Sequence, residues 1–236
     1  LFDYKGEFSD IQNNHWLALF DVDRSCILDP LTQPLPFTPF KDFTGRSINE
    51  INLYSTEMSS ALCSIDRVSA SANMNNRLSE AIVEAYKSTN GAPISFELML
   101  KCYQSRMKDA NNDDSISSVL KQLVNAHIFE SEDKVSLIDD SYIIKMDGYP
   151  KDGPIAKAIV YFLMSKLNNI YELLDKQAVN DEVVQIRHFS IIDEAHYMLD
   201  FDNRPLRNLI AVGRNKGLSI ILATQNMSSF KSKGFD

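Results

Sequence analysis

The order of patterned segments predicts an α/β protein, a mainly parallel sheet interrupted by a long helical stretch. Three observations carry that expectation. Short apolar runs of strand character recur at residues 1–3, 26–29, 142–146, 189–192 and 218–223. In the last third of the chain these runs alternate with helical patterns, and such alternation implies parallel pairing through right-handed crossovers. Between the second and third runs, from Arg46 to about His127, the apolar residues fall instead at helical spacing.

Taken in order, Leu1-Phe2-Asp3 reads as the end of a buried strand, and Lys5-Gly6-Glu7 as the turn that leaves it. The segment 26–29 is a second short strand. Pro30, Pro34, Pro36 and Pro39 then impose an extended connection, because proline lacks an amide donor and constrains the residue before it. A boundary is expected near Phe43, dividing the chain into 1–42 (first part of the sheet core), 43–141 (helical insertion) and 142–236 (the rest of the core). Within the insertion, Ile48, Ile51, Met58, Leu62 and Ile65 share one helical face, as do Leu78, Ile82, Val83 and Tyr86. Ser95 is placed to cap a helix over 96–107, and Asp114 or Ser115 to cap one carrying Ile116, Val119, Leu120, Leu123 and Val124. Residues 111–114 make the loop between them. Residues 155–174 form a long amphipathic helix followed by a polar loop, and a further helix leads up to Gly213.

Composition narrows the function classes. A chain of 236 residues can bury a sizeable core without staples, and its 44% apolar and 24% charged content is that of a globular protein rather than a disordered one. Apolar runs such as 155–167 are broken by lysines well short of the ~20 residues a membrane span needs, so no transmembrane helix and a cytoplasmic location are expected. Cys26, Cys63 and Cys102 are far apart and lack metal-ligand spacing, which reads as three reduced thiols. The net charge of −8 argues against a generally basic nucleic-acid-coating surface. It leaves room for local cations, and Arg204, Arg207, Arg214, Lys216, Lys231 and Lys233 form the most useful local bias. The first residues carry neither a basic leader nor an initiator Met, so they are expected to belong to the interior of a longer chain.

The chemistry concentrates where an apolar strand runs into two carboxylates, Ile191-Ile192-Asp193-Glu194. Acids delivered to the carboxyl edge of a parallel sheet can divide the labour of phosphoryl transfer from ATP. Asp193 would hold the water shell of Mg²⁺, and Glu194 would orient and polarise the water that attacks the γ-phosphate. For the pair alone, a solvated strand end explains the residues about as well. His196 completes Asp-Glu-Ala-His, but the helicases named for that tetrapeptide continue with Ser-Ala-Thr at a later strand end, where this chain has Ala223-Thr224-Gln225. His196 is therefore read as a helix-start residue without a catalytic part.

The ordered set of acidic pair, helix, Gly213-Arg214-Asn215-Lys216-Gly217, apolar strand and Ala223-Thr224-Gln225 resembles the Walker B and sensor region of the HerA/FtsK family of RecA-like P-loop DNA translocases. The opening, apolar strand, Asp3, two residues, Gly6-Glu7 and Phe8, resembles the strand after that family's Walker A helix, and Phe37-Thr38-Pro39-Phe40 is similar to its Phe-Asn-Pro element. The likeness covers residues 1–40 and 142–230. It implies that Arg214 is an arginine finger reaching a neighbour's nucleotide, with Gln225 contacting the γ-phosphate or the attacking water. Thr224, Asp3 and Glu7 would then lie at the nucleotide edge. The residue-level alternatives are a helix-end cation for Arg214, a strand-end hydrogen bonder for Gln225 and a simple turn for Asp3 and Glu7. The resemblance also implies ATP and Mg²⁺ as cofactors, double-stranded DNA as a partner and a ring-shaped homo-oligomer, a hexamer. Nuclease or restriction partners follow from its likeness to the ATPases of phosphorothioation-dependent DNA restriction systems. One departure matters: no G-x-x-x-x-G-K-[ST] occurs in these 236 residues. The match begins just after the place of that loop, so a core truncated at its N-terminus, with little activity alone, is expected. Two rival functions use the same residues: a scaffold that has lost nucleotide chemistry, and a nuclease whose metal is held by Asp3, Glu7, Asp193 and Glu194.

Overall fold

The computed structural model describes residues 1–12, 26–65, 70–107, 113–180, 183–199 and 201–225. The elements run β1 (Phe2–Asp3), β2 (Ile27–Leu28), α1 (Ile48–Ile65), α2 (Ala72–Ser88), α3 (Phe96–Gln104), α4 (Ser115–Ala126), β3 (Ile143–Lys145), α5 (Pro154–Leu173), β4 (Val179–Asn180), β5 (Val183–Val184), β6 (His188–Ile192), α6 (Arg204–Val212) and β7 (Leu218–Leu222).

Five strands form one sheet in the order β2-β3-β1-β6-β7, and every pairing in it is parallel. Parallel neighbours need long crossovers, which is why strands adjacent in space come from remote parts of the chain. Phe2 pairs with both Ile144 and Ile192, and Ile192 pairs with Leu222. That register brings the residues just beyond β1, β6 and β7 to one edge of the sheet. The segment after α5, expected as a polar loop, contains a short antiparallel pair of strands in which Val179 faces Val184. Its β-branched residues suit an extended backbone even where burial is slight.

The central helix is α5. It starts with Gly153 at the cap and Pro154 in its first turn, where proline's missing amide costs nothing. The amphipathic pattern expected from the sequence understates its burial, since every residue from Ala156 to Ser165 is buried. A helix covered on all sides lies between layers. Its helical neighbours are α1, α4 and α6. Even Lys157, 1% exposed, lies inside, where its ammonium donates to the Ile65 carbonyl at the end of α1 at 3.2 Å. The cation meets one of the orphan acceptors that every helix carboxyl end leaves behind.

The four helices between β2 and β3 start where short polar side chains can serve as caps. Ser71, Ser95 and Asp114 accept from the amides of Met74, Leu98 and Ser117. These helices share one continuous hydrophobic core with the sheet, reaching from Met58, Leu78 and Leu120 to Phe162 and Ile192. Phe40, at the end of the proline-rich connection, packs edge-on against Phe96 of α3 at 4.9 Å and Phe162 of α5 at 5.6 Å. The Phe37-Thr38-Pro39-Phe40 element thus seats the helical layer on the core. One part of the sheet surface is less covered: Phe189 and Ile221 are 53% and 43% exposed. Among the described residues no helix is long and apolar enough to cross a membrane, and Cys26, Cys63 and Cys102 are free thiols.

Candidate active site

The parallel register collects the candidate residues in one place. Asp193 and Glu194 directly follow β6, Thr224 and Gln225 follow β7 by one residue, and Asp3 ends β1 beside them. In open parallel sheets this carboxyl edge is where ligands bind. The two strand ends are tied together by backbone bonds, Ala223 amide to Ile192 carbonyl at 2.9 Å and Ala195 amide to Ala223 carbonyl at 2.8 Å.

Glu194 is the most constrained member. Its backbone is left-handed, with φ 49° and ψ 43°. For a non-glycine residue that conformation costs ~1–2 kcal/mol. It turns the chain sharply from β6 into a 3-10 turn at Ala195–Tyr197 and leaves the Glu194 side chain largely enclosed, 9% exposed. One carboxylate oxygen meets the Lys5 ammonium at 2.7 Å, and the other lies 3.3 Å from His196 Nδ1. The hydrogen bond from Lys5 holds the Glu194 carboxyl below the usual carboxylate range, against the opposing effect of burial. His196 Nδ1 also lies 3.1 Å from Thr224 Oγ1, linking the end of β7 to the acidic turn.

Sequence reasoning missed both partners of Glu194. Lys5 was read only as part of a turn, and nothing in spacing connects it with a residue 189 positions later. His196 carried a visible signal, the Asp-Glu-Ala-His string, but was set aside as a helix start. In the folded chain its ring belongs to the site.

Asp3 is placed at the edge, but its carboxylate is engaged within its own loop. It accepts from the Gly6 amide at 2.9 Å, the Phe8 amide at 3.0 Å, the Ser9 amide at 2.8 Å and the Ser9 hydroxyl at 2.9 Å, and the residue is fully buried. Its role in the described chain is to fix the loop that carries Lys5. Glu7 is exposed on the same loop. Asp193 is half-buried, and none of the described residues takes up its carboxylate by a hydrogen bond or ion pair, although it lies within the field of Lys5. Gln225 is exposed.

Arg214 lies elsewhere. It belongs to the 3-10 turn Gly213–Lys216 ahead of β7, so a five-residue strand separates it from Thr224. That is ~17 Å of extended chain. The other members of its motif have internal duties. A side chain at Gly213 would press on Leu218, and Gly217 adopts φ +83° with the Gln185 carbonyl 2.7 Å from where a Cβ would sit. Lys216 donates to the Glu172 carbonyl at 2.9 Å at the end of α5. The Asn215 carbonyl accepts from the Gln177 amide at 2.9 Å. Arg214 is exposed, and no described residue holds its side chain by a hydrogen bond or ion pair; the neighbouring Asn215 is exposed as well. Among the described residues no group of three or more His, Cys, Asp or Glu side chains is gathered so as to hold a metal by itself.

The parallel five-stranded sheet with helices packed around it is a fold found in proteins of solved structure. Among solved structures the chain is similar to VirB4 of Thermoanaerobacter pseudethanolicus, with a TM-score of 0.61 and 15% identity over 97% of this chain and 62% of VirB4. It is also similar to the plasmid coupling protein TrwB in complex with the ATP analogue ADPNP, with a TM-score of 0.51 and 13% identity over 88% of this chain and 54% of TrwB. The chain therefore spans less than two thirds of the length of either protein. No family model matches the sequence, and no curated protein matches it significantly.

Proposed function

We propose that the chain is the Walker B and sensor part of a HerA/FtsK-like motor ATPase that couples ATP hydrolysis to translocation or remodelling of double-stranded DNA. The observation that supports it best is the convergence of Asp193, Glu194 and Thr224 from two strands on one carboxyl edge, where His196 lies beside both Glu194 and Thr224. A ring-shaped homo-oligomer and a role beside a nuclease in DNA restriction, as for the ATPase DptH of phosphorothioation-dependent systems, are the finer parts of the same proposal. They rest on the motif order alone.

In this reading Glu194 orients the attacking water and accepts its proton as the water oxygen bonds the γ-phosphorus and the bond to ADP breaks. Asp193 suits Mg²⁺, a hard cation that keeps most of its waters and needs few carboxylates, because its side chain at the strand end is left uncommitted by the described residues. The metal, when bound, neutralises charge on the phosphate oxygens. Gln225 stands at the tip of the next strand, in reach of the same edge. Arg214, displaced to the other end of β7, serves a neighbouring subunit's nucleotide rather than its own.

The reading requires a phosphate-binding loop, which these 236 residues do not contain. The expected result is poor or no hydrolysis by this chain and clear phosphate release by a longer product of the same gene that carries such a loop. Glu194→Gln in that longer product should lower kcat by ~10²–10⁴-fold while nucleotide binding persists. Turnover that survives the substitution would remove Glu194 from its role.

A further inference from the structure

Lys5 stands out among the groups at the carboxyl edge. Its ammonium is paired with Glu194 at 2.7 Å and also lies in the field of Asp193 and Glu7. The base of this side chain is fixed, because four hydrogen bonds to the buried Asp3 carboxylate shape the loop that carries it. Its head is less confined: the side chain remains 29% exposed and hangs on a flexible four-carbon stem. This is a cation with an anchored root and a movable charge, directed at the acidic edge.

The pairing poses a chemical problem. A carboxylate bonded to an ammonium is a weakened proton acceptor, so Glu194 cannot polarise water well while Lys5 stays on it. A nucleotide triphosphate entering an edge lined with acids also needs cations, and its γ-phosphate oxygens are strong acceptors for an ammonium. Both difficulties are removed by one exchange. We infer that Lys5 is a catalytic cation stored on Glu194 in the nucleotide-free state, which transfers to a γ-phosphate oxygen when nucleotide binds and thereby frees Glu194 to act on water. His196 is a positioning residue in this scheme, because it stays within hydrogen-bond distance of the other Glu194 oxygen and of Thr224, keeping the released carboxylate at the edge. The inference rests on the nucleotide reading above.

The test uses the complete gene product and measures ATP turnover, binding of ADPNP and thermal unfolding for Lys5→Met, Lys5→Arg and His196→Ala. Lys5→Met should lower kcat by ~10²-fold, the loss expected on removing one donor to developing phosphoryl charge, with KM for ATP unchanged. Lys5→Arg should recover part of that loss, since a guanidinium can also make the exchange. His196→Ala should lower kcat with ADPNP affinity retained. A wild-type kcat or a raised kcat in Lys5→Met would overturn the inference, the latter by showing that Lys5 only restrains Glu194. A fall in kcat that tracks a fall in melting temperature and is not recovered by Lys5→Arg would also overturn it, by making the residue a support for its loop. Failure of the underlying reading looks different: wild type would not hydrolyse ATP, or Glu194→Gln would turn over normally. If Glu194→Gln is inactive while Lys5→Met is not, only the role of Lys5 fails.

Discussion

Asp114 in the helical layer and Glu194 at the sheet edge are both acids held by a cation and by a second ring-bearing residue, yet they are built to opposite ends. Asp114 has ordinary extended backbone, with φ −96° and ψ 176°, and caps α4 in a reciprocal box with Ser117. Its other oxygen accepts from Tyr103 at 2.6 Å and from Arg77 at 3.2 Å, so one carboxylate joins α2, α3 and α4. Glu194 pays for its place with left-handed backbone and is held by a lysine whose head is partly in solvent. The first arrangement fastens helices together. The second holds a carboxylate in a left-handed turn between two partners, at the position proposed above for the residue that orients water.

The contrast between the acidic edge and its supporting layers can be broken most sharply at Arg214, which belongs to neither carboxylate's network. In the complete gene product, Arg214→Ala should keep nucleotide binding and lower turnover by ~10³-fold or more, the contribution of a finger acting in trans. Mixed rings should then regain activity when Glu194→Gln subunits, inactive themselves but with Arg214 intact, stand beside Arg214→Ala subunits. Absence of rescue in verified mixed assemblies would return Arg214 to the role of a cation near the end of α6.

Next in size is Asp114→Ala. It removes a helix cap and leaves Tyr103 and Arg77 without their acceptor, an expected loss of ~2 kcal/mol in stability. For a chain of this length that is a drop of about 4–8 °C in melting temperature. Activity per folded molecule should not change, and a selective fall in kcat would show that the helical layer takes part in the chemistry. The smallest effect has the opposite sign. Glu194→Gly relieves the left-handed strain and should raise stability by ~1 kcal/mol, or about 2–4 °C, while abolishing turnover. A destabilised Glu194→Gly chain would mean that the turn is held by the carboxylate's partners rather than imposed on it.

Much of the fold was legible because its signals are local. The helix starts at Ser95 and Asp114 are written in side chains that cap within three residues, and β6 and β7 are apolar runs of the right length. Asp193, Glu194 and Thr224 were legible as strand-end residues, and their shared edge follows once the strands are parallel. The burial of α5 on all sides was less legible, since the periodicity of one helix reports its own polar residues and not how many layers will cover it. Lysines break the apolar run of this helix, yet Lys157 is buried, and its hydrogen bond to the carbonyl at the end of α1 helps to make that burial tolerable.

By itself, the sequence determined the kinds of element, their order and which polar residues stand at the strand ends, because periodicity, capping and strand-end chemistry act over a few positions. Tertiary structure decided which of those charges meet. Asp3 turns into its own loop, Arg214 lies a strand's length away, and Lys5 crosses 189 positions of sequence to hold Glu194. Such pairings depend on sheet order and on where a loop is anchored. They are set by the balance of burial, hydrogen bonding and charge over the whole chain, which no local pattern records.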